Sequence, residues 1–322
     1  MLDTLLSFAY SHPILFNTAI AIISLIILAK AADLLVYSIT HYAKLLGISE
    51  YLIGFVVLAI GTALPELMAS ITGAMLGSGE IVYGTILGSN LAKIPLLGLV
   101  LLLGFTLSKK ESAGSDAPVL TLVLALLPII LVIDGLLSRI DGIVLLAAFA
   151  IYIGSLWQGE QKFGRMKKKV ALKTVYKDMI IFIGALAALL LSARFLVSSS
   201  LHISALLDIS PFIIGIVVIG IGGSMPEITV QLRSVYRRHK DLVFGNILGS
   251  IVANSTFVLG IVSLVHPVPI AFPSLLLTSI FLFAGLVYTL MVIRHGQLNW
   301  KHGLIMVIFY AVFLLLELLR EL

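Results

Sequence analysis

Apolar residues run along this chain in long blocks, not in the alternating or striped patterns of a soluble domain. Ten such blocks can be marked, at about 13–42, 50–76, 80–107, 117–136, 140–157, 177–203, 211–233, 242–265, 269–293 and 301–318, with the polar residues gathered mainly in the gaps. Blocks of this length predict helices that cross a bilayer, since about 20 helical residues span its hydrocarbon core. The lead before Pro13 has no lysine or arginine, so a cleaved signal segment is not expected.

The pattern repeats. A shift of 161 residues lays Leu45-Leu-Gly-Ile-Ser49 on Leu206-Leu-Asp-Ile-Ser210, Gly61-Thr-Ala-Leu-Pro-Glu66 on Gly222-Gly-Ser-Met-Pro-Glu227, and Gly84-Thr-Ile-Leu-Gly-Ser89 on Gly245-Asn-Ile-Leu-Gly-Ser250. Between positions 45 and 93 the shift gives 19 identities in 49 without a gap, more than shared hydrophobicity explains. The chain therefore reads as a duplication, with one repeat over residues 1–158, a basic linker over 159–173 and a second repeat over 174–322. Each repeat carries five blocks, and an odd number sends the two halves into the membrane from opposite sides.

Composition agrees: 60% of residues are hydrophobic, 11% are charged and the mean hydropathy is +1.15, which excludes an ordinary soluble domain. The expected class is an all-α polytopic membrane protein of ten transmembrane helices in two inverted five-helix repeats. The net charge of +5 is a matter of loops and gives no reason to expect nucleic acid. Assigning loops alternately to two faces puts 16 lysines and arginines on one, including Arg165-Met-Lys-Lys-Lys169, and only Arg139 and Arg320 on the other. The positive-inside rule then places the central loop in the cytoplasm and both termini outside. The absence of cysteine excludes disulfides and thiolate metal sites. No phosphate-binding Gly-x-x-x-x-Gly-Lys motif is present, so transport would run on an ion gradient, and no enzyme activity is expected.

Chemistry enters at the two Pro-Glu pairs. Pro65 and Pro226 each remove a backbone donor, and Gly61, Gly222 and Gly223 let the preceding turn unwind, so carbonyl oxygens are released beside a carboxylate. Carbonyls and carboxylates are hard ligands suited to a metal cation. With one broken helix from each half, Glu66 and Glu227 are expected to meet near the bilayer midplane. Ser89 and Ser250, on the following small-residue helices, can add hydroxyl oxygens.

Gly-Thr-x-Leu-Pro-Glu followed by Gly-x-x-x-Gly-Ser in the first half, echoed as Gly-Gly-Ser-Met-Pro-Glu and Gly-x-x-x-Gly-Ser in the second, resembles the two alpha repeats of the cation/calcium exchanger superfamily, most closely those of prokaryotic sodium/calcium exchangers. The resemblance implies two long slanting helices, the first and the sixth, that slide against a bundle with a diamond of four ion sites. It implies Ca²⁺ chelation by Glu66 and Glu227 with the carbonyls of Thr62 and Gly223. Sodium sites would use carbonyls near Ala59 and Gly220 and the hydroxyls of Ser89, Ser224 and Thr62. Gly223 keeps a carbonyl but lacks the family's hydroxyl, and Ala63 also lacks one.

The main departure lies four residues after each serine, where the family presents Asn or Asp and this chain has Lys93 and Asn254. Lys93 shares the face of Ser89 one helical turn away, and about fourteen residues into its block it is too deep for its stem to reach the headgroups. Two carboxylates and one ammonium leave a formal charge of −1. The favoured function is exchange of Ca²⁺ for Na⁺ by alternating access. The alternatives are a cation/H⁺ antiporter in which Lys93 replaces a bound ion, and a membrane scaffold or sensor that no longer transports. Expected partners are membrane lipid and inorganic cations, with no cofactor and no obligatory protein partner. Asp33 and Arg194, matched by the 161 shift, either pair across the sliding helices or face a wet crevice.

Overall fold

The computed structural model describes residues 11–45, 60–61, 63–102, 107–108, 117–158, 172–224, 247–270, 272–295 and 297–321. Helices dominate: α1 Pro13–Leu45, α2 Leu64–Met75, α3 Gly79–Leu102, α4 Ala117–Leu131, α5 Arg139–Gln158, α6 Leu172–Leu207, α7 Pro211–Gly223, α8 Ile247–Val265, α9 Phe272–His295 and α10 Trp300–Glu321. Two-residue strands punctuate them: β1 Leu107–Ser108, β2 Leu136–Leu137, β3 Val268–Pro269 and β4 Gln297–Leu298. Among the described residues six helices, α1, α3, α6, α8, α9 and α10, are long and apolar enough to cross a membrane. The blocks at 50–76 and 211–233 contribute only α2 and α7 here, because much of each lies outside the described residues.

Local chemistry sets the ends of these elements. Pro211 stands in the first turn of α7, where a missing N–H costs nothing, and Ser210 Oγ accepts from Phe212 N at 3.1 Å to cap that turn. Pro65 plays the same part in α2, whose cap residue Ala63 offers no side chain to the free N–H groups. At α5, Ser138 N and Ser138 Oγ both donate to Asp141 Oδ2, at 2.8 and 2.6 Å. Asp134 Oδ1 accepts from Leu136 N at 3.1 Å, so both aspartates of this turn hold backbone N–H groups.

At 33 and 36 residues, α1 and α6 would extend about 50 and 54 Å at 1.5 Å per residue, well beyond a hydrocarbon core of about 30 Å. They lie along each other, burying Leu28, Ala31, Ala32 and Leu35 of α1 and Leu189, Ala193, Leu196 and Val197 of α6. Their other faces expose Ile22, Ile26, Leu190, Leu191 and Phe195, apolar side chains that suit lipid. Asp33 and Arg194 are both exposed. The innermost helices are α3 and α8; α10 packs on α3, and α5 on α8.

The two ribbons carry the repeat into three dimensions. β1 pairs with β4 through Leu107↔Leu298 and Ser108↔Gln297, and β2 pairs with β3 through Leu137↔Val268 and Leu136↔Pro269. Adding 161 to 107 and 108 gives 268 and 269, and subtracting it from 298 and 297 gives 137 and 136. One ribbon is thus the image of the other under the sequence shift, register included. Both join loops that alternate charge assignment puts on one face: α3–α4 with α9–α10, and α4–α5 with α8–α9.

Between α3 and α7 the backbones touch. A Cβ on Gly88 would fall 2.7 Å from Ile216 Cα, and one on Gly220 would fall 2.9 Å from Ser89 N. The small residues of the Gly84-to-Gly88 spacing thereby bring Ser89 against the residues that precede the second Pro-Glu pair.

Candidate functional site

Glu66 belongs to the first turn of α2, where unpaired N–H groups favour a carboxylate, and is only 1% exposed. Three other elements reach it or its neighbours. Ser89 Oγ of α3 donates to Glu66 Oε1 at 3.0 Å. Ser224 Oγ, at the end of α7, lies 2.9 Å from Ser89 Oγ and donates to the Gly220 carbonyl at 2.8 Å. Asn254 Nδ2 of α8 donates to Ser89 Oγ at 3.3 Å. A Cβ on Gly223 would meet Glu66 Oε1 at 3.4 Å, so the backbone of the second motif lies against the carboxylate of the first.

Counting protons shows what this cluster suits. Ser89 and Ser224 have one hydroxyl hydrogen each, and these serve Glu66 and the Gly220 carbonyl. The 2.9 Å approach of the two serine oxygens, in which either hydroxyl can donate, is a third contact for two hydrogens, so one of the three always opposes lone pairs in a buried setting. A cation placed among such oxygens relieves that opposition.

The structure thus brings Glu66, Ser89, Gly220, Gly223, Ser224 and Asn254 together. Ser250 is buried but donates to its own helix, to Ile247 O at 3.2 Å. Ala59, Thr62 and Glu227 lie outside the described residues. Lys93 is 0% exposed on α3, one turn beyond Ser89 and two residues before the helix-interior Pro95. A charge at that depth is held by the protein and not by water. Among the described residues no group of three or more His, Cys, Asp or Glu gathers, and the described side-chain oxygens next to Glu66 are the hydroxyls of Ser89 and, beyond it, Ser224.

Two features escaped the sequence. One is Asn90, whose Nδ2 donates to Ser255 Oγ of α8 at 2.8 Å in a fully buried contact directly beside the Ser89–Asn254 bond. Asn90 adjoins Ser89 in the chain, but matching identities between repeats passes over it, because its counterpart is Ile251. The other is a widening of the helix to π geometry over Gly215–Gly220 in α7 and over Ala253–Val258 in α8. Each π turn borders or contains site residues, as such turns often do, and has no compositional signature.

Comparison with known proteins follows the same division of the chain. The family model described as sodium/calcium exchanger protein matches twice, over residues 16–158 and 177–319, two stretches offset by 161. The chain is 25% identical to the sodium/calcium exchanger MaX1 of Methanosarcina acetivorans, over 92% of this chain and 97% of that protein. It is 29% identical to the inner membrane protein YrbG of Escherichia coli, over 79% of this chain and 81% of that one. Among solved structures it is similar to the sodium-calcium exchanger NCX_Mj soaked with Na⁺ and Ca²⁺, with a TM-score of 0.62 at 25% identity, covering 92% of this chain and 97% of that chain.

Proposed function

Because the chain belongs to the sodium/calcium exchanger protein family, and so to the membrane cation exchangers, we propose that it is a secondary-active antiporter that moves Ca²⁺ against Na⁺ by alternating access. The observation that carries this reading is the meeting of the two motifs at one buried carboxylate: Glu66 from the first half lies against Gly223 and, through Ser89, reaches Ser224 of the second. Glu66 and Glu227 are the charged ligands, joined by the carbonyls of Thr62 and Gly223 for Ca²⁺. Na⁺ takes the hydroxyls of Ser89, Ser224 and Thr62 with carbonyls near Ala59 and Gly220. Ser250 and Asn254 line the same chamber.

The architecture proposed is ten membrane helices in two inverted repeats, 1–158 and 174–322, with the linker at 159–173 and the other basic loops cytoplasmic and both termini outside. The shift-related ribbons support it, since each joins loops that the charge rule assigns to one face. The partners are lipid and inorganic cations.

Proteoliposomes test the exchange directly. Outward Na⁺ gradients should drive ⁴⁵Ca²⁺ uptake, and uptake that ignores Na⁺ refutes the reading. The burial of Lys93 one turn from Ser89 favours a second reading, a cation/H⁺ antiporter in which the lysine replaces an ion. Flux that follows a pH gradient and not a Na⁺ gradient selects it. Absence of flux under both gradients selects a scaffold or sensor of the same fold.

A further inference from the structure

The site is unequal on its two sides, and the 161-residue shift shows how. Two adjacent polar contacts tie α3 to α8: Ser89 with Asn254, and Asn90 with Ser255. Under the shift, Ser89 becomes Ser250 and Asn254 becomes Lys93, so the image of the first contact pairs a serine with an ammonium-bearing residue. Asn90 becomes Ile251 and Ser255 becomes Ile94, so the image of the second is apolar. Residues 89, 90, 254 and 255 thus form a side made of neutral oxygen and nitrogen donors. Residues 250, 251, 93 and 94 form a side with one hydroxyl, one lysine and two isoleucines.

The polar side holds oxygens with nothing to bind. Asn90 Oδ1 and Asn254 Oδ1 are fully buried and have no hydrogen-bond partner among the described residues, whereas each amide nitrogen is committed to a serine. Reversing either carboxamide merely exchanges an idle acceptor for an idle pair of donors, which is worse in a buried setting. A carboxamide oxygen is a hard, neutral ligand. Ca²⁺ accepts such oxygens too, but they add coordination without the negative charge that favours a divalent ion over a monovalent one.

We propose that Asn90, held by Ser255, supplies its carboxamide oxygen to a Na⁺ subsite on the Ser89–Asn254 side of the chamber, and that the opposite side has no such subsite because Lys93, Ile94 and Ile251 stand there. Asn90 is then a ligand that sets Na⁺ against Ca²⁺ preference, and its counterpart Ile251 adds no such ligand on the other side of the repeat axis. The inference rests on the reading of Glu66 as the core of a cation chamber.

The test is thermal unfolding of the full-length protein in detergent, titrated with NaCl or CaCl₂ at constant ionic strength made up with choline chloride, beside the flux assay. Asn90→Leu keeps the branching of the side chain, at a larger volume, and places on α3 the apolar character found at Ile251. It should raise the Na⁺ concentration giving half the stabilisation about tenfold, the worth of one good neutral contact, and leave the Ca²⁺ midpoint where wild type has it. Ser255→Ala, which frees the carboxamide from its anchor, should shift the Na⁺ midpoint the same way by less, and decides the matter if Asn90→Leu does not fold. Equal Na⁺ midpoints in wild type and variant, parallel shifts for both ions, or no stabilisation of wild type by Na⁺ would overturn the subsite. Loss of exchange with the selective Na⁺ shift intact would sink the antiport reading and keep the subsite. Exchange without the shift would do the reverse.

Discussion

Lys93→Asn places on α3 the residue that Asn254 supplies on α8, and it removes one buried positive charge one helical turn from Ser89. Lys93 lies four residues past Ser89, an axial distance of about 6 Å at 1.5 Å per residue, and Ser89 Oγ is 3.0 Å from Glu66 Oε1. At about 6 Å and an effective dielectric of about 20, the ammonium opposes a monovalent cation in the chamber by about 2.8 kcal/mol and a divalent one by about 5.5 kcal/mol. The difference of about 2.8 kcal/mol is about a hundredfold in relative affinity. Lys93→Asn should therefore tighten Ca²⁺ binding far more than Na⁺ binding, raise the rate of Na⁺-driven Ca²⁺ uptake at low Ca²⁺, and flatten any response of flux to pH. Isothermal titration with each ion on the purified protein measures the first effect, and ⁴⁵Ca²⁺ uptake into proteoliposomes measures the second. Ca²⁺ and Na⁺ affinities that stay at wild-type values, or that rise by one common factor, would show that the ammonium does not face the ions.

The other predictions separate site from scaffold. Glu66→Gln keeps the shape and the hydrogen bond from Ser89 but removes the charge, so Ca²⁺ uptake should vanish while the melting temperature holds within a few degrees; uptake at the wild-type rate would remove Glu66 from the site. Gly88→Val should lower the melting temperature sharply, because a Cβ there would fall 2.7 Å from Ile216 Cα and force α3 off α7; an unchanged melting temperature would argue against that contact. Asp141→Ala removes the acceptor of Ser138 N and Ser138 Oγ, so stability should fall by about 1 kcal/mol in denaturant titration with ion dependence unaltered, and an altered Ca²⁺ midpoint would give the turn a part in transport. In this cysteine-free chain, Gly164→Cys should react with impermeant maleimide only from the cytoplasmic side and Arg139→Cys only from outside; labelling from one common side would overturn the inverted repeat.

What the sequence made legible is what depends on order along the chain. The 161-residue shift predicts that Glu66 and Glu227 meet; Glu227 lies outside the described residues, and the part of its motif that is described, Gly223, lies against Glu66. The small residues at Gly84 and Gly88 predicted close helix packing, and the partner proves to be α7 at Ile216 and Gly220. Ser250 could not be read in this way: its hydroxyl looked equivalent to that of Ser89, but it bonds Ile247 O within its own turn. A side-chain rotamer decides between the two uses, and residue type does not record it. The π turns were equally hidden, since one extra residue in a helical turn changes hydrogen-bond register and nothing in composition. Asn90 was passed over for the opposite reason, because a search for sameness between repeats discards the positions where they differ.

Those differences bear on alternating access. In a transporter made of two like halves, the two facing states arise when the halves exchange conformations, so identical halves would give states of equal energy. This chain breaks the equality beside its charged ligand. Position 93 carries an ammonium where 254 carries a carboxamide, and 223 lacks the side chain present at Thr62. Over Ala253–Val258, α8 widens to a π turn, whereas the matching stretch of α3, residues 92–97, stays α-helical around Pro95. An ion can bias two states only through contacts that differ between them, and on the alternating-access reading the unmatched residues at 93, 254, 223 and 62 are where such differences can arise. The duplicated ribbons would let two like halves exchange conformations, and the proposed antiport then assigns the choice of ion to the positions at which the repeats differ.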